Sequence, residues 1–291
     1  RFYFFGEYAL SYNRVNSFDN FFNSGIAKKS DKNLPYEIRP NLDTYYTLCK
    51  FKSNSDGFRD QEFTTNHSAK AKNIAIVGDS FTMGQGVEQD EIFHTIAEKQ
   101  MNESTDSLKY HLMNFGVCGY NLKEYQVVVE NITMKYPLEQ IVIGFCGYND
   151  HLLPAEFPIP DFSKLLSPNG FWKSYLWWLI KLRTKPNPDV STIKYEKDNL
   201  TFIEEKLGRI NTSAMARNIN VSLIYLATNS KPREAEQIKQ ICLRKGIQFI
   251  DASRQFPITP NSNFILNEID GHPNDKAHSI FATELVHLLK H

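Results

Sequence analysis

The chain has 291 residues, 41% of them hydrophobic and 23% charged, which fits one large globular domain or two small ones. Lys plus Arg and Asp plus Glu each number 33, so there is neither the basic surplus of a nucleic-acid binder nor attraction to an anionic surface. No apolar run is long enough to cross a bilayer.

Residues 1 to 70 are rich in aromatics, broken by polar residues and without clean periodicity, and read as an N-terminal extension packed on a main domain. Arg1 stands where a start methionine would, so the expectation is a trimmed N-terminus, which leaves room for an upstream signal peptide or membrane anchor and an extracytoplasmic location, the alternative being the cytoplasm. The segment Asn54-Ser55-Asp56-Gly57-Phe58-Arg59-Asp60 reads as an ordered loop with Arg59 paired to a carboxylate. From Asn73 onward strand-like runs at 73–77, 110–114, 140–145, 221–226 and 247–250 alternate with helical patterns at 88–102, 121–134, 198–218, 232–245 and 275–289. That alternation predicts a parallel sheet covered by helices on both faces, in a main domain over 71–291. The proline-rich stretch 151–197 interrupts it as an insertion suited to a lid or a substrate wall. Within it Trp172, Tyr175 and Trp178 recur at helical spacing, which favours packing over sugar stacking or a membrane contact.

Four short segments fall at or beyond the ends of predicted strands, the last of them just before the final predicted helix. Gly78-Asp79-Ser80-Phe81-Thr82 follows the run Ile74-Ala75-Ile76-Val77, so a tight turn presents a serine hydroxyl at the carboxyl end of a buried strand. The stretch from Asn114 to Asn121 holds Gly116 and Gly119, which permit close backbone approach and leave an N–H free to meet an anion. Gly147-Tyr148-Asn149-Asp150 offers a side-chain amide donor to the same crevice. Asp270-Gly271-His272-Pro273-Asn274 places a histidine beside a carboxylate, the base and orienter of a serine triad.

These four segments, in this order over about residues 73 to 290, resemble the SGNH (GDSL-type) hydrolase superfamily. The resemblance implies a three-layer α/β/α, flavodoxin-like fold with a five-stranded parallel sheet, and ester chemistry without cofactor or metal. It makes Ser80 the nucleophile, His272 the general base and Asp270 its orienter. The backbone N–H groups of Ser80 and Gly119 and the amide of Asn149 become the oxyanion hole. One departure stands out: the family commonly spaces the acid as D-x-x-H, whereas Asp270 lies two residues before His272. The literal D-x-x-H here, Asp275 to His278, is set aside because His278 falls inside the predicted last helix and His272 carries the following Pro273-Asn274. The segment 54–60 also resembles a stretch found ahead of the hydrolase domain in some bacterial members, which often carry an anchor and act outside the cytoplasm.

The implied activity is a serine esterase acting on an acyl ester, an acetyl ester above all, of a carbohydrate or small molecule. The alternatives are an O-acyltransferase that delivers the acetyl group to a sugar hydroxyl, and a binding module whose chemistry has lapsed. Other features read as structural. Asp79 serves the turn that presents Ser80. The Gly78–Gly84 spacing is wrong for a phosphate loop, with Gln85 where lysine is needed. No complete G-x-G-x-x-G follows the first strand. Cys49, Cys118, Cys146 and Cys242 lack metal or disulfide spacing and Cys118 and Cys146 sit in apolar context, while His94, His111, His151 and His287 lack ligand spacing.

Overall fold

The computed structural model describes residues 21, 25–30, 32–47, 49–63, 70–103, 108–150, 197–267 and 270–290. The N-terminal segment forms two small antiparallel ladders, β1 (Ala27–Lys28) with β2 (Glu37–Ile38) and β3 (Asp43–Tyr46) with β4 (Cys49–Lys52). Strands of two and four residues are too short to print a period, which is why the sequence pattern is silent here. The aromatic content is what attaches them. Tyr36, Tyr46, Phe51 and Phe58 are buried in one core cluster with Phe115, Val117 and Tyr120. Phe58 and Phe63 meet Phe115 at ring centroid distances of 4.8 and 4.7 Å.

The five strand-like runs pair into one parallel sheet: β5 (Ala71–Gly78), β6 (Lys109–Gly116), β7 (Gln140–Cys146), β8 (Asn220–Leu226) and β9 (Gln248–Asp251). Their order is β6-β5-β7-β8-β9, the flavodoxin-like arrangement. Both faces are buried because successive side chains point to opposite sides. Ile74 and Ile76 enter one apolar cluster, Ala75 and Val77 the other.

A short α1 (Ser80–Met83) is followed by helices that keep the 3.6-residue pattern: α2 (Phe93–Glu103), α3 (Leu122–Asn131), α4 (Lys197–Met215), α5 (Pro232–Lys245) and α6 (Asp275–Lys290). Helices α2 and α6 pack together on one face, and α3 packs against α4, which is flanked by α5, on the other. The pattern predicted over 88–102 is really two elements. Glu88 and Glu91 form a capping box around a single 3₁₀ turn, Ile92 is extended, and the α-helix starts only at Phe93. The four-residue α1 is too short for any periodic signal. The predicted insertion, with Trp172, Tyr175 and Trp178, and His151 lie outside the described residues.

This topology places the chemistry. The chain reverses its winding between β5 and β7, and the crevice at the carboxyl ends of those strands is where open α/β sheets bind ligands. Gly116 at the end of β6 has no room for a side chain, since a Cβ there would collide with the Met83 amide and the Thr82 carbonyl carbon of α1.

His278 is a core residue of α6, with no exposure. Its Nδ1 accepts the Phe93 N–H at 3.3 Å and its ring stacks on Phe93 with centroids 6.0 Å apart. Burial, reinforced by the charges of Arg59, His94 and His272, lowers its pKa from 6.5 to about 3. Below 6.5 the unfolded chain takes up a proton that the folded chain refuses until about 3, so this group costs stability as the pH falls through that window. The slope is about 1.4 kcal/mol per pH unit, or about 2 kcal/mol by pH 5. Denaturant titrations at pH 7 and pH 5 test this: His278→Gln should lose about that much of the pH dependence, whatever its absolute stability. An unchanged difference between the two pH values would assign the acid sensitivity elsewhere.

Candidate active site

Strand β5 ends at Gly78, and Asp79 then caps α1 by accepting the Phe81 N–H on Oδ1 at 2.9 Å. This cap sets Ser80 at the first position of the helix, its hydroxyl at the strand ends. Asp79 is buried, and burial raises its carboxyl pKa against the pull of its hydrogen bonds. It stands as the turn residue the sequence analysis expects.

Ser80 Oγ lies 2.9 Å from His272 Nε2, and His272 Nδ1 lies 2.5 Å from Asp270 Oδ1. Asp270 and Ser80 are both buried, and the His272 side chain between them is 23% exposed. The close Asp–His spacing has a local explanation. With only Gly271 between them, Asp270 Oδ1 accepts both the backbone N–H of His272, at 3.1 Å, and meets its ring, so one carboxylate oxygen fixes backbone and side chain together. The loop is tied down from both sides: Leu266 N–H donates to His272 O at 2.9 Å, and Asn274 accepts the Ala277 N–H at 3.1 Å as α6 begins.

Gly119 sits at φ +77°, a conformation that favours glycine, directly before Tyr120 and the Asn121 cap of α3. Its neighbour Cys118 is held by the Tyr36 hydroxyl, which donates to the Cys118 carbonyl at 2.6 Å. Gly116 differs: its N–H already donates to Asn114 Oδ1 at 2.8 Å. Among the described residues the Ser80 and Gly119 N–H groups meet no acceptor. Asn149 follows β7 and its Nδ2 donates to Asp79 Oδ2 at 3.1 Å, which leaves its second N–H for the crevice. The turn carrying it is closed by buried Asp150, which accepts the Cys146 N–H at 2.6 Å and the Tyr125 hydroxyl at 2.9 and 3.0 Å. Burial and the nearby Asp79 charge push the Asp150 carboxyl well above its usual range. Phe81, whose ring centroid is 5.7 Å from that of His272, and Tyr148, 5.8 Å from Phe81, line the approach.

Two residues stand apart from the sequence expectation. Arg59 is not paired to a carboxylate: among the described residues its guanidinium donates only to backbone carbonyls, those of Gly84, Val87 (2.7 Å) and Lys50 (3.0 Å). The loop after α1 turns its carbonyls inward there, and a buried planar fork satisfies several of them where a carboxylate would add a second buried charge. Burial brings the Arg59 pKa down to about 10, so it remains charged near neutrality. Gln85 is the residue sequence reasoning passed over. Buried to 1% exposure, it sets Nε2 3.3 Å from His272 Nδ1, while its Oε1 accepts from the Tyr46 hydroxyl (3.2 Å) and the Cys118 thiol (3.3 Å). No motif signals it, because its partners lie 39, 33 and 187 positions away.

The strand order and the crevice residues together define a class: the chain carries the three-layer α/β/α fold of the SGNH hydrolases. No protein-family model and no curated protein matches the sequence. Among solved structures the chain is similar to TesA, with a TM-score of 0.51 and 12% identity over 75% of this chain and 98% of that one. It is similar also to a two-domain esterase active on acetylated mannans, crystallised with mannopentaose, with a TM-score of 0.51 and 14% identity over 76% of this chain and 49% of that one. The chain therefore spans about half of that second protein's length.

Proposed function

We propose that this protein is a serine esterase that cleaves an acyl ester, an acetyl ester of a carbohydrate or small molecule, through an acyl-enzyme. The observation that carries the reading is the continuous chain from Ser80 Oγ through the His272 ring to Asp270, with gaps of 2.9 and 2.5 Å. Ser80 attacks the ester carbonyl as its hydroxyl proton passes to His272 Nε2. Asp270 holds the ring with its Nδ1 proton directed away from Ser80 and stabilises the imidazolium that forms. The tetrahedral oxyanion is received by the N–H groups of Ser80 and Gly119 and the free N–H of Asn149, donors worth about 2.7–4 kcal/mol each where one has been removed in other enzymes. His272 then protonates the leaving alcohol, and water, deprotonated by the same nitrogen, releases the acid.

The carbohydrate side of this reading is supported by the likeness to an esterase active on acetylated mannans. A fluorophosphonate probe and p-nitrophenyl acetate test the mechanism on the full chain. The expected result is stoichiometric labelling together with hydrolysis; acetate transferred mainly to an added sugar would redirect the reading to an O-acyltransferase. Neither labelling nor turnover would leave a binding module.

A further inference from the structure

Resting on the esterase reading, we infer that Gln85 is a positioning residue that keeps the His272 Nδ1–H directed at Asp270 and ties the N-terminal segment to the catalytic base. The amide oxygen of Gln85 is occupied by two donors, the Tyr46 hydroxyl of β3 at 3.2 Å and the Cys118 thiol at 3.3 Å. That engagement turns the amide nitrogen toward His272, 3.3 Å from Nδ1. An NH₂ group cannot accept a proton from Nδ1. Asp270 Oδ1, at 2.5 Å, is thereby the acceptor left for it at that edge. On its Nδ1 edge the ring is hydrogen-bonded to Asp270, the Gln85 NH₂ beside it offers Nδ1–H no competing acceptor, and Nε2 is aimed at Ser80 Oγ.

The arrangement is braced from outside the hydrolase core. Gln85 follows Gly84 and is two residues before Val87, whose carbonyls Arg59 holds, so its main chain is clamped on both sides. Tyr46, which fixes the amide, is itself buried at 4% exposure between Phe21 and Phe51, with centroids 5.7 and 5.8 Å away. The N-terminal segment thus reaches the triad through one side chain, and the loop that a phosphate-binding reading would have given a lysine uses glutamine for its neutral, two-ended hydrogen bonding.

The test compares Gln85→Met and Gln85→Glu, of similar size, in the full chain. Gln85→Met keeps the volume but not the amide; kcat should fall about tenfold with KM within about twofold, since the loss is of orientation and not of substrate contact. Gln85→Glu places an acceptor beside Nδ1 that competes with Asp270. The far-downfield proton resonance of the short Nδ1–H···Oδ1 bond should shift or disappear in Gln85→Glu and broaden in Gln85→Met. That resonance is read without turnover, so an inactive wild type that still shows these changes would sink the esterase reading and leave Gln85's role standing. Unchanged spectra in both variants, or a fall in thermal stability with kcat unchanged, would overturn the inference and leave Gln85 a packing residue.

Discussion

Ser80→Ala is expected to abolish fluorophosphonate labelling and to lower turnover of p-nitrophenyl acetate by about 10⁴-fold or more, and His272→Ala should do nearly the same. The reason is that neither group acts alone. A serine hydroxyl is a poor nucleophile until a base takes its proton, and His272 Nε2 is placed 2.9 Å from it to do so. Removing either partner removes the same step, so the double variant should be no slower than the single ones; independent contributions would multiply instead. Activity persisting in Ser80→Ala above about a tenth of wild type would point to another nucleophile and end the proposal. Both substitutions shorten side chains at the mouth of a crevice, so folding should survive, and retained thermal unfolding is the control.

Arg59→Met should cost about 4 kcal/mol of stability, the largest effect expected away from the triad. Arg59 is 1% exposed, and its partners are backbone carbonyls of Gly84, Val87 and Lys50. An apolar replacement strands those acceptors, each at about 1–3 kcal/mol when buried. Arg59→Lys keeps the charge but replaces a planar fork by one point donor, and should recover less than half of the loss. Denaturant unfolding of the three proteins measures it. A loss below about 1 kcal/mol would mean that water reaches those carbonyls once the guanidinium is gone. Because Gly84 and Val87 flank Gln85, the same variant should also lower turnover more than its stability change explains.

The elements legible in the sequence are those with long-range repetition or strong local chemistry. The five buried strands announce themselves by short apolar runs and the helices between them by period, so observed boundaries fall within a few residues of those expected, apart from the start of α2, which is displaced by a 3₁₀ turn. The segments around Ser80, Gly119 and Asn149 are legible because each needs an unusual residue at the end of a predictable strand, and that around His272 because it sits just before a predictable helix. Asp270 was harder, since its spacing departs from the family pattern. Only the Asx geometry explains it, with one oxygen serving the backbone and the ring of His272.

The N-terminal segment was legible only in composition. Strands of two to four residues and contacts such as Phe58 on Phe115 carry no periodic signature, and Arg59 offers no local clue that its partners are carbonyls far along the chain. The sequence alone determined the layered α/β class and offered the proposed nucleophile and the residues proposed to serve it, because these follow from local period and residue type. The tertiary structure alone decided that Gln85 meets His272, that Arg59 is solvated by backbone and that Tyr36 and Tyr46 reach Cys118 and Gln85 in the two loops beside the crevice. Those contacts join residues tens to nearly two hundred positions apart, and their strength depends on burial, a property of the whole fold and not of any segment.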